Sequence, residues 1–498
     1  MWLRPIPSSI RRRRFGIFSF LEMIDEIKPS KSIDAIRIIV VIDSSIWSCL
    51  FYIVWIILFI NVLIGVCIVI YLNEKINQNI MRKYDEVLDA VLDDIKPDKE
   101  EKEKVNKRIH SFLEKLNKGL KDANAVLGGS GAKGTWLRGA HDADVFVQFN
   151  YEKYKGKSDE LSDILEKHLN KKFDGVKRLH GSRDYFQIEK KGFVFEVVPV
   201  LKIAKAEKAV NITDVSPLHA KWVRKHKKYA DDIRLMKKFC KAHRIYGAES
   251  YINGFSGYIC EILVIHYKGF VNLLRAAPKW KDEEIIDTEK HYRNRLEVKM
   301  GINKSKQQGP LLLVDPVQKN RNAAAALSKE NYDMFRKSAH KFLKEPDKES
   351  FEEKSIGVEE LKENYHGKKV ITVEASPLKG KKDVVGSKLV KVLEHIKRKM
   401  KKAGFEIIDT VWEWDGKAVF YIVLKDEKLR EFEIKEGPPA KIKKHADKFK
   451  KIYEGKTFVK DGKLYAKVKR KYRKAESFLR NVLRDGYVKE RVKGIRIS

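Results

Sequence analysis

The stretch GGSGAKGTWLRGAHDADVFVQF, residues 128–149, joins a glycine-rich loop to two aspartates that open an alternating apolar run. Its glycines allow a close approach of the backbone and positive φ angles, so amide groups can turn toward an anion. Ser130 adds a hydroxyl and Lys133 adds a positive charge to the same loop. Because glycine-rich turns are common, the loop alone permits phosphate binding without establishing it.

The two aspartates indicate a metal site. Asp142 and Asp144 are two residues apart, so on a strand their side chains project from the same face. Neighbouring carboxylates repel each other, and a divalent cation that prefers oxygen ligands, such as Mg²⁺, offsets this repulsion. A pair of metal ions about 4 Å apart needs a further carboxylate. Glu196 is the best candidate, because an unpaired charge inside the apolar strand FVFEVVPV would be costly.

Each of these acids, taken alone, is better explained as a carboxylate at the edge of a sheet. The combination is more specific: a Gly-Ser loop, eleven residues, Asp-x-Asp and a later acid on an apolar strand. Such a combination favours a two-metal site for nucleotidyl transfer.

The composition describes a folded, strongly basic chain. In 498 residues, 104 Lys and Arg oppose 69 Asp and Glu, which gives a formal net charge of +35. This excess predicts a polyanionic partner, and RNA, DNA or an anionic membrane all qualify. Residues 441–498 hold 21 basic and six acidic side chains with interspersed aromatic residues, which is typical of a surface that follows a nucleic-acid backbone. None of the four cysteines has CxxC spacing, so the sequence suggests neither a structural zinc site nor a disulfide framework.

The N-terminal 80 residues form a separate extension with two competing interpretations. Residues 44–73 contain no charged side chain, and this run exceeds the roughly 20 residues that a transmembrane helix needs. One interpretation is a membrane anchor. The other, which we favour, is that the working protein begins at Met81, because an amphipathic helix follows at once and ends before Pro97. The expected location is then cytoplasmic, with membrane contact only if residues 44–73 are translated.

The remaining pattern predicts three folded regions. Residues 183–203 read as a β-hairpin that turns at Lys190, Lys191 and Gly192. Helices are expected from about 217 to 274, with a break at 251–257, and again over 322–343. Residues 369–424 follow a β-α-β-β order, with Ser387 as the helix cap and Gly404 as its stop.

The predicted boundaries divide the chain into four segments. They are an extension at 1–80, a catalytic domain at 81–225, a helical central domain at 226–345 and a basic α+β region at 346–498.

The loop and its aspartates resemble the signature of the polymerase-β-type nucleotidyltransferases. The wider chain resembles the archaeal (class I) CCA-adding tRNA nucleotidyltransferases. Four further segments carry this resemblance in the same order, and together they make the match span roughly residues 81–487: SPLHAKWV at 216–223, and residues 234–267, 312–328 and 437–472. The resemblance implies an α+β multidomain protein with a polymerase-β-like palm, a helical central domain and an α+β RNA-binding C-terminal region.

The resemblance also implies roles for individual residues. Three acids would hold the metal ions: Asp142, Asp144 and Glu196. Four residues would hold the triphosphate: Ser130, Lys133, Lys237 and Tyr246. Two would line the site beside the sugar or the primer end: Ser216 and His219. Two would help to read the Watson–Crick edge of the incoming base: Arg321 and Asn322.

Three positions depart from the family pattern. Glu196 stands where the family usually has aspartate, Lys133 where arginine is also expected, and Ser216 where threonine is expected. The lysine keeps the charge but loses the bidentate geometry of arginine toward phosphate.

The implied activity is Mg²⁺-dependent addition of C, C and A to the 3′ end of tRNA from CTP and ATP, without a nucleic-acid template. The implied partners are the acceptor arm and 3′ end of tRNA, and a homodimer is an open option. One alternative is another RNA nucleotidyltransferase, such as a poly(A) polymerase. A second alternative is a membrane-tethered RNA-binding protein without catalytic activity.

Overall fold

The structure is a computed structural model that describes residues 32–354 and 356–498. Contacts divide the chain into two compact units, of which the first ends at Lys83 and the second is Tyr84–Ser498. The first described helix, α1 (Ser32–Ile95), contains the apolar stretch 44–73 and ends before Pro97 as predicted. Residues 1–31 of the predicted extension lie outside the described residues. Across the described part of the chain, no helix combines the length and the apolar character required to cross a membrane.

The second unit alternates helices and strands. The helices after α1 are α2 (Lys99–Asn117), α3 (Gly129–Lys133), α4 (Tyr151–Tyr154), α5 (Leu161–Asn170), α6 (Ser216–Lys225), α7 (Ala230–Ala242), α8 (Gly257–Tyr267), α9 (Phe270–Ala276), α10 (Arg295–Gly301), α11 (Lys329–Lys344), α12 (Val358–Asn364), α13 (Lys382–Ala403), α14 (Lys443–Ile452), α15 (Ala475–Val482) and α16 (Gly486–Lys489). The strands are β1 (Ala123–Leu127), β2 (Asp142–Asn150), β3 (Lys177–Leu179), β4 (Tyr185–Lys190), β5 (Phe193–Lys202), β6 (Glu284–Asp287), β7 (Leu311–Val314), β8 (Lys369–Pro377), β9 (Ile407–Asp415), β10 (Lys417–Leu424), β11 (Phe432–Pro439), β12 (Thr457–Lys460), β13 (Lys463–Lys469) and β14 (Val492–Ile497).

The predicted catalytic region is built on a five-stranded sheet in the order β1-β2-β5-β4-β3. Strands β2 and β5 run parallel, while the other neighbours are antiparallel. Helices α2 and α5 cover one face with a core of buried apolar side chains, in which the rings of Phe112 and Phe195 stack 3.8 Å apart. Burial of such side chains stabilises the sheet that carries the predicted acids.

The β4–β5 hairpin confirms the prediction for residues 183–203. Its turn places Lys191 at φ 53° and Gly192 at φ 72°. Two successive positive φ angles are typical of the tight turn that matches the right-handed twist of a hairpin. The hairpin sets β4 beside β5, and therefore fixes which β4 side chain faces Glu196.

The central region has its own core of buried aromatic side chains, including Phe239, Phe335 and Phe342. Residues 84–95, which the predicted boundaries assign to the catalytic domain, contribute to this core, and the Tyr84 hydroxyl donates to the Leu343 carbonyl oxygen at 2.5 Å.

One helix start in this region differs from the prediction. Helix α11 starts at Lys329 rather than at Asn322, because Ser328 caps it by accepting from the Asn331 amide. Residues 322–327 lie outside the helix. The Asn322 side-chain oxygen accepts hydrogen bonds from the backbone amides of Leu313 and Ala324.

The C-terminal region confirms the predicted β-α-β-β order and corrects one cap. Helix α13 packs on a sheet in the order β14-β8-β10-β9. It ends at Gly404 in the left-handed conformation, as expected, but it begins at Lys382. Ser387 is therefore not a cap, and its hydroxyl donates to the Asp383 carbonyl oxygen one turn earlier. The basic segment after residue 440 is folded: β12 and β13 join β11 in a small sheet, and β14 pairs with β8.

Candidate active site

The register between β2 and β5 brings the predicted acids together. Asp144 lies directly opposite Glu196 in the parallel pair, and Asp142 lies opposite Val194. Directly paired residues of adjacent strands project from the same face, so the three acids share one face of the sheet. Gln187 on β4 lies opposite Glu196, and its Nε2 donates to Glu196 Oε1 at 2.7 Å. This hydrogen bond orients Glu196 beside Asp144.

The glycine-rich loop lies directly on the aspartate strand. The Gly128 amide donates to the Asp144 carbonyl oxygen at 2.7 Å. A Cβ on Gly129, whose φ is +51°, would lie 1.5 Å from Asp144 Oδ2, and one on Gly128 would lie 2.4 Å from the Phe146 ring. Only glycine leaves room for this contact, and the loop therefore presents α3, with Ser130 and Lys133, beside the carboxylates.

The carboxylates repel one another in a largely buried position. Burial, and then the charges of Glu196 and Asp142, raise the pKa of Asp144 to about 6, although Lys133 and Lys237 act in the opposite direction. Repulsion of this kind among hard oxygen donors is relieved by a divalent cation, so the donor set fits Mg²⁺. Within residues 32–354 and 356–498, no three His, Cys, Asp or Glu side chains already surround a point that could hold a metal ion. Mg²⁺ in proteins commonly binds one or two carboxylates and takes its other ligands from water and substrate phosphates.

The raised pKa predicts a pH dependence of stability for the metal-free protein. Between pH about 4 and 6 the folded state keeps a proton on Asp144 that the unfolded state has lost, so the free energy of unfolding falls as the pH rises through this window. Asp144→Asn removes the ionisable group, so the free energy of unfolding of this variant should exceed that of the wild type by about 2–3 kcal/mol at pH 7–8. The difference should vanish below pH about 4. Thermal unfolding of both proteins with a chelator from pH 4 to 8 measures the effect. Parallel curves for the two proteins across the window would contradict it.

The two lysines predicted to bind the triphosphate, Lys133 and Lys237, both contact a buried glutamate. Lys133 Nζ lies 2.7 Å from Glu261 Oε2, and Lys237 Nζ lies 3.4 Å from Glu261 Oε1. Lys237 also donates to Thr135 Oγ1 at 2.9 Å, and Thr135 donates in turn to Glu261 Oε1 at 3.2 Å. The cluster therefore joins the loop after α3 to helices α7 and α8.

Tyr246, which was also predicted to bind the triphosphate, lies beside this cluster. A Cβ on Gly257 would lie 3.0 Å from the Tyr246 hydroxyl oxygen and 3.9 Å from Lys237 Nζ, so both groups lie close to the first residue of α8. The amide groups at the start of a helix favour negative charge. The structure thus brings Lys133, Lys237 and Tyr246 into one region.

A second buried cluster surrounds Asp315, and it contains His219 and Arg321. Arg321 Nη1 donates to Asp315 Oδ2 at 2.6 Å, the Tyr258 hydroxyl donates to Oδ1 at 3.1 Å, and His219 Nε2 lies 3.0 Å from Oδ2. The His219 ring stacks on Tyr258 with centroids 4.2 Å apart. Burial lowers the pKa of His219, and Asp315 partly opposes that effect, whereas hydrogen bonds and cations hold the pKa of Asp315 well below its usual range despite its burial.

The remaining predicted residues occupy different surroundings. Ser216 is the first residue of α6, and this helix packs against α3, the helix that carries Ser130. Asn322 is buried, and its amide group is engaged by backbone: its oxygen accepts from Leu313 and Ala324, and its nitrogen donates to Lys306 and Leu311. These hydrogen bonds tie the loop that carries Arg321 to β7 and to Lys306. Arg321 itself lies in the loop after β7, immediately before Asn322.

Glu261 and Asp315 are functional candidates that the sequence reasoning missed. Glu261 is a single charge inside the apolar helix ICEILVI, which is the same signal that selected Glu196. Asp315 ends the apolar run LLLVD in the same way.

Three family models match the chain in order. The nucleotidyltransferase domain matches residues 106–197, the second domain of tRNA nucleotidyltransferase matches residues 231–352, and the C-terminal domain of the CCA-adding enzyme matches residues 366–490. These matches confirm the α+β multidomain class and the nucleotidyltransferase palm that the sequence predicted.

Curated relatives cover most of the chain. The CCA-adding enzyme of Nanoarchaeum equitans is 36% identical over 376 residues, which are 74% of this chain and 89% of that protein. The enzyme of Methanocaldococcus jannaschii is 32% identical over 394 residues, or 75% and 85% of the two chains. The enzyme of Methanosarcina acetivorans is 30% identical over 396 residues, or 76% and 84%. This chain belongs to the archaeal CCA-adding tRNA nucleotidyltransferases.

Proposed function

We propose that this CCA-adding enzyme uses Mg²⁺ and the acids of β2 and β5 to transfer C, C and A from CTP and ATP to the 3′ end of tRNA without a template. The observation that carries the proposal is the direct pairing of Asp144 with Glu196 on parallel strands, under a glycine loop that touches Asp144. Burial, and then repulsion by Glu196 and Asp142, raise the pKa of Asp144, and a bound divalent cation would relieve this repulsion.

The acidic and the basic side chains have different roles at the triphosphate. Asp142, Asp144 and Glu196 would hold the metal ions, and divalent cations bound there would supply positive charge for the attacking 3′ hydroxyl and for the departing pyrophosphate. Lys133 ends the helix whose Gly129 lies against Asp144, Lys237 shares Glu261 with it, and the charges of both lysines lower the pKa of Asp144. With Ser130 and Tyr246 they bind the triphosphate and hold its α-phosphorus in line with the hydroxyl, and their fixed charges stabilise the negative charge that develops.

The Asp315 cluster supplies the end of the site that reads the base. The Arg321 side chain is one-third exposed, whereas its partner Asp315 is fully buried. The buried carboxylate holds one edge of the guanidinium, and the other N–H groups are left to donate to a base. A guanidinium so fixed offers planar donors to a base edge. Ser216 and His219 line the region beside the sugar or the primer end, and Asn322 acts only by positioning the Arg321 loop.

The basic C-terminal region binds the acceptor arm of tRNA. Helix α14 exposes most of its lysines, and residues 441–498 hold 21 basic and six acidic side chains. Such a surface recognises RNA by phosphate contacts and shape, since the deep groove of an RNA helix exposes little sequence. We place the reaction in the cytoplasm, where tRNA, CTP and ATP occur together.

The test is a product-length assay on the full chain. The protein is incubated with tRNA that lacks its last three residues, Mg²⁺, and labelled CTP and ATP. The expected product on a sequencing gel is longer by three nucleotides and stops there. A long tail would favour a poly(A) polymerase instead, and tRNA binding without incorporation under any metal condition would favour a non-catalytic RNA-binding protein.

A further inference from the structure

We propose that Glu261 is a positioning residue that holds Lys133 and Lys237 together as one phosphate-binding pair, and that it does so equally for CTP and ATP. This inference rests on the proposed function, because it concerns the triphosphate end of the same site. Glu261 does not touch the reacting atoms in this account, and it acts only through the two lysines.

The geometry makes Glu261 the common partner of the pair. Its two oxygens are shared between the lysines, with Oε2 at 2.7 Å from Lys133 Nζ and Oε1 at 3.4 Å from Lys237 Nζ. Thr135 completes the arrangement, because its hydroxyl accepts from Lys237 and donates to Glu261. Lys133 ends α3, Thr135 follows in the next loop, Lys237 lies on α7 and Glu261 on α8, so the glutamate links the three helices.

Burial makes a negative charge necessary at this position. The side chains of Glu261 and Lys237 are 1% and 6% exposed, and that of Lys133 is 12% exposed. Two ammonium groups this close in a dry environment repel each other and lose their hydration, which favours loss of a proton from one of them. Burial does lower the pKa of Lys237, Glu261 opposes that effect, and Lys133 adds to it. Glu261 thus opposes the loss of a proton from Lys237, and the formal charges of the glutamate and the two lysines leave an excess of positive charge for a phosphate.

The two lysines differ in what they can do when a nucleotide arrives. Lys237 is held by Thr135 as well as by Glu261 and stays in place. Lys133 is the more exposed, and its ammonium can turn from Glu261 toward a phosphate oxygen. Because the triphosphate is common to CTP and ATP, a defect at Glu261 affects both nucleotides alike. A defect at the Asp315 cluster, which faces the base, affects them differently.

Glu261→Gln tests the proposal, since it removes the charge and keeps the shape. The expected result is a KM for CTP and for ATP raised about tenfold or more by the same factor, as loss of a hydrogen bond to a charged group implies. The kcat and the KM for tRNA should change far less. Glu261→Asp keeps the charge and should recover part of the nucleotide affinity. The matched control is Glu289→Gln, because Glu289 accepts from the neutral Trp222 Nε1 at 2.8 Å, and its kinetics should equal those of the wild type.

A double variant checks that Glu261 acts through the lysine. In a Lys133→Ala background, Glu261→Gln should raise the KM for either nucleotide by clearly less than it does alone, because contacting residues are not additive. A Glu261→Gln protein with a lowered thermal midpoint and unchanged nucleotide KM would overturn the proposal, as would unequal effects on CTP and ATP. If that variant does not fold, the nucleotide KM of Glu261→Asp decides in the same way. A wild-type protein that adds no nucleotide would instead defeat the proposed function itself.

Discussion

Replacing Asp144 by alanine is expected to abolish nucleotide incorporation while tRNA binding is retained. Asp144 lies at the centre of the acid group, between Asp142 on its own strand and Glu196 on the parallel neighbour. Removing it takes away one of the three carboxylates that would hold the metal ions. Loss of several kcal/mol of transition-state stabilisation corresponds to a fall in the single-turnover rate of about 10³-fold or more.

The measurement is single-turnover addition of one labelled CMP to tRNA that lacks its last three residues, together with tRNA binding by filter retention. Glu189→Ala is the matched control, since Glu189 is an exposed acid on strand β4 of the same sheet and lies opposite Val194. Its rate should equal that of the wild type. If the Asp144→Ala protein still adds CMP within a few-fold of the wild-type rate, the carboxylates have a structural role and not a catalytic one.

Replacing Gly129 by alanine is expected to lower activity by about 10²-fold, although it adds only one methyl group. The new Cβ would lie 1.5 Å from Asp144 Oδ2, at a residue whose φ is +51°. Either the loop or the carboxylate must move by an ångström or more, and displacement of this size at a reacting centre has a cost of that order.

Gly139→Ala separates this clash from backbone strain. Gly139 also has a positive φ, +75°, but a Cβ there would meet no atom within 4 Å. Its variant should bear only the strain of the left-handed conformation, with activity within a few-fold of the wild type. Equal losses of CMP addition in the two variants would mean that the contact with Asp144 is not what matters.

The acid group could be predicted because its signal is local. The spacing of Asp142 and Asp144 fixes their common face on any strand, and an isolated acid in an apolar strand marked Glu196. The sequence did not contain the register, which depends on the parallel pairing of β2 with β5 across fifty residues. The structure adds Gln187, which reaches Glu196 only because the hairpin turns at Lys191 and Gly192.

The basic partners of the two buried carboxylates, Glu261 and Asp315, could not be predicted from sequence spacing. Glu261 meets Lys133 across 128 residues, and Asp315 meets His219 across 96 residues. Such pairs depend on how the central helices pack on the glycine loop, which no local pattern records. Residues 322–327 were predicted as helix for a related reason: their alanines favour a helix, but the Asn322 side chain ties this segment to backbone groups of the preceding loop and strand.

Anomalous diffraction from crystals of the protein grown with CTP and Mn²⁺, as a substitute for Mg²⁺, tests the central claim most directly. The account predicts a manganese peak within about 2.0–2.3 Å of a carboxylate oxygen of Asp144, with Asp142 and Glu196 completing the protein ligands and CTP phosphates the remainder. Manganese bound only elsewhere, with no peak in contact with Asp144, would contradict it.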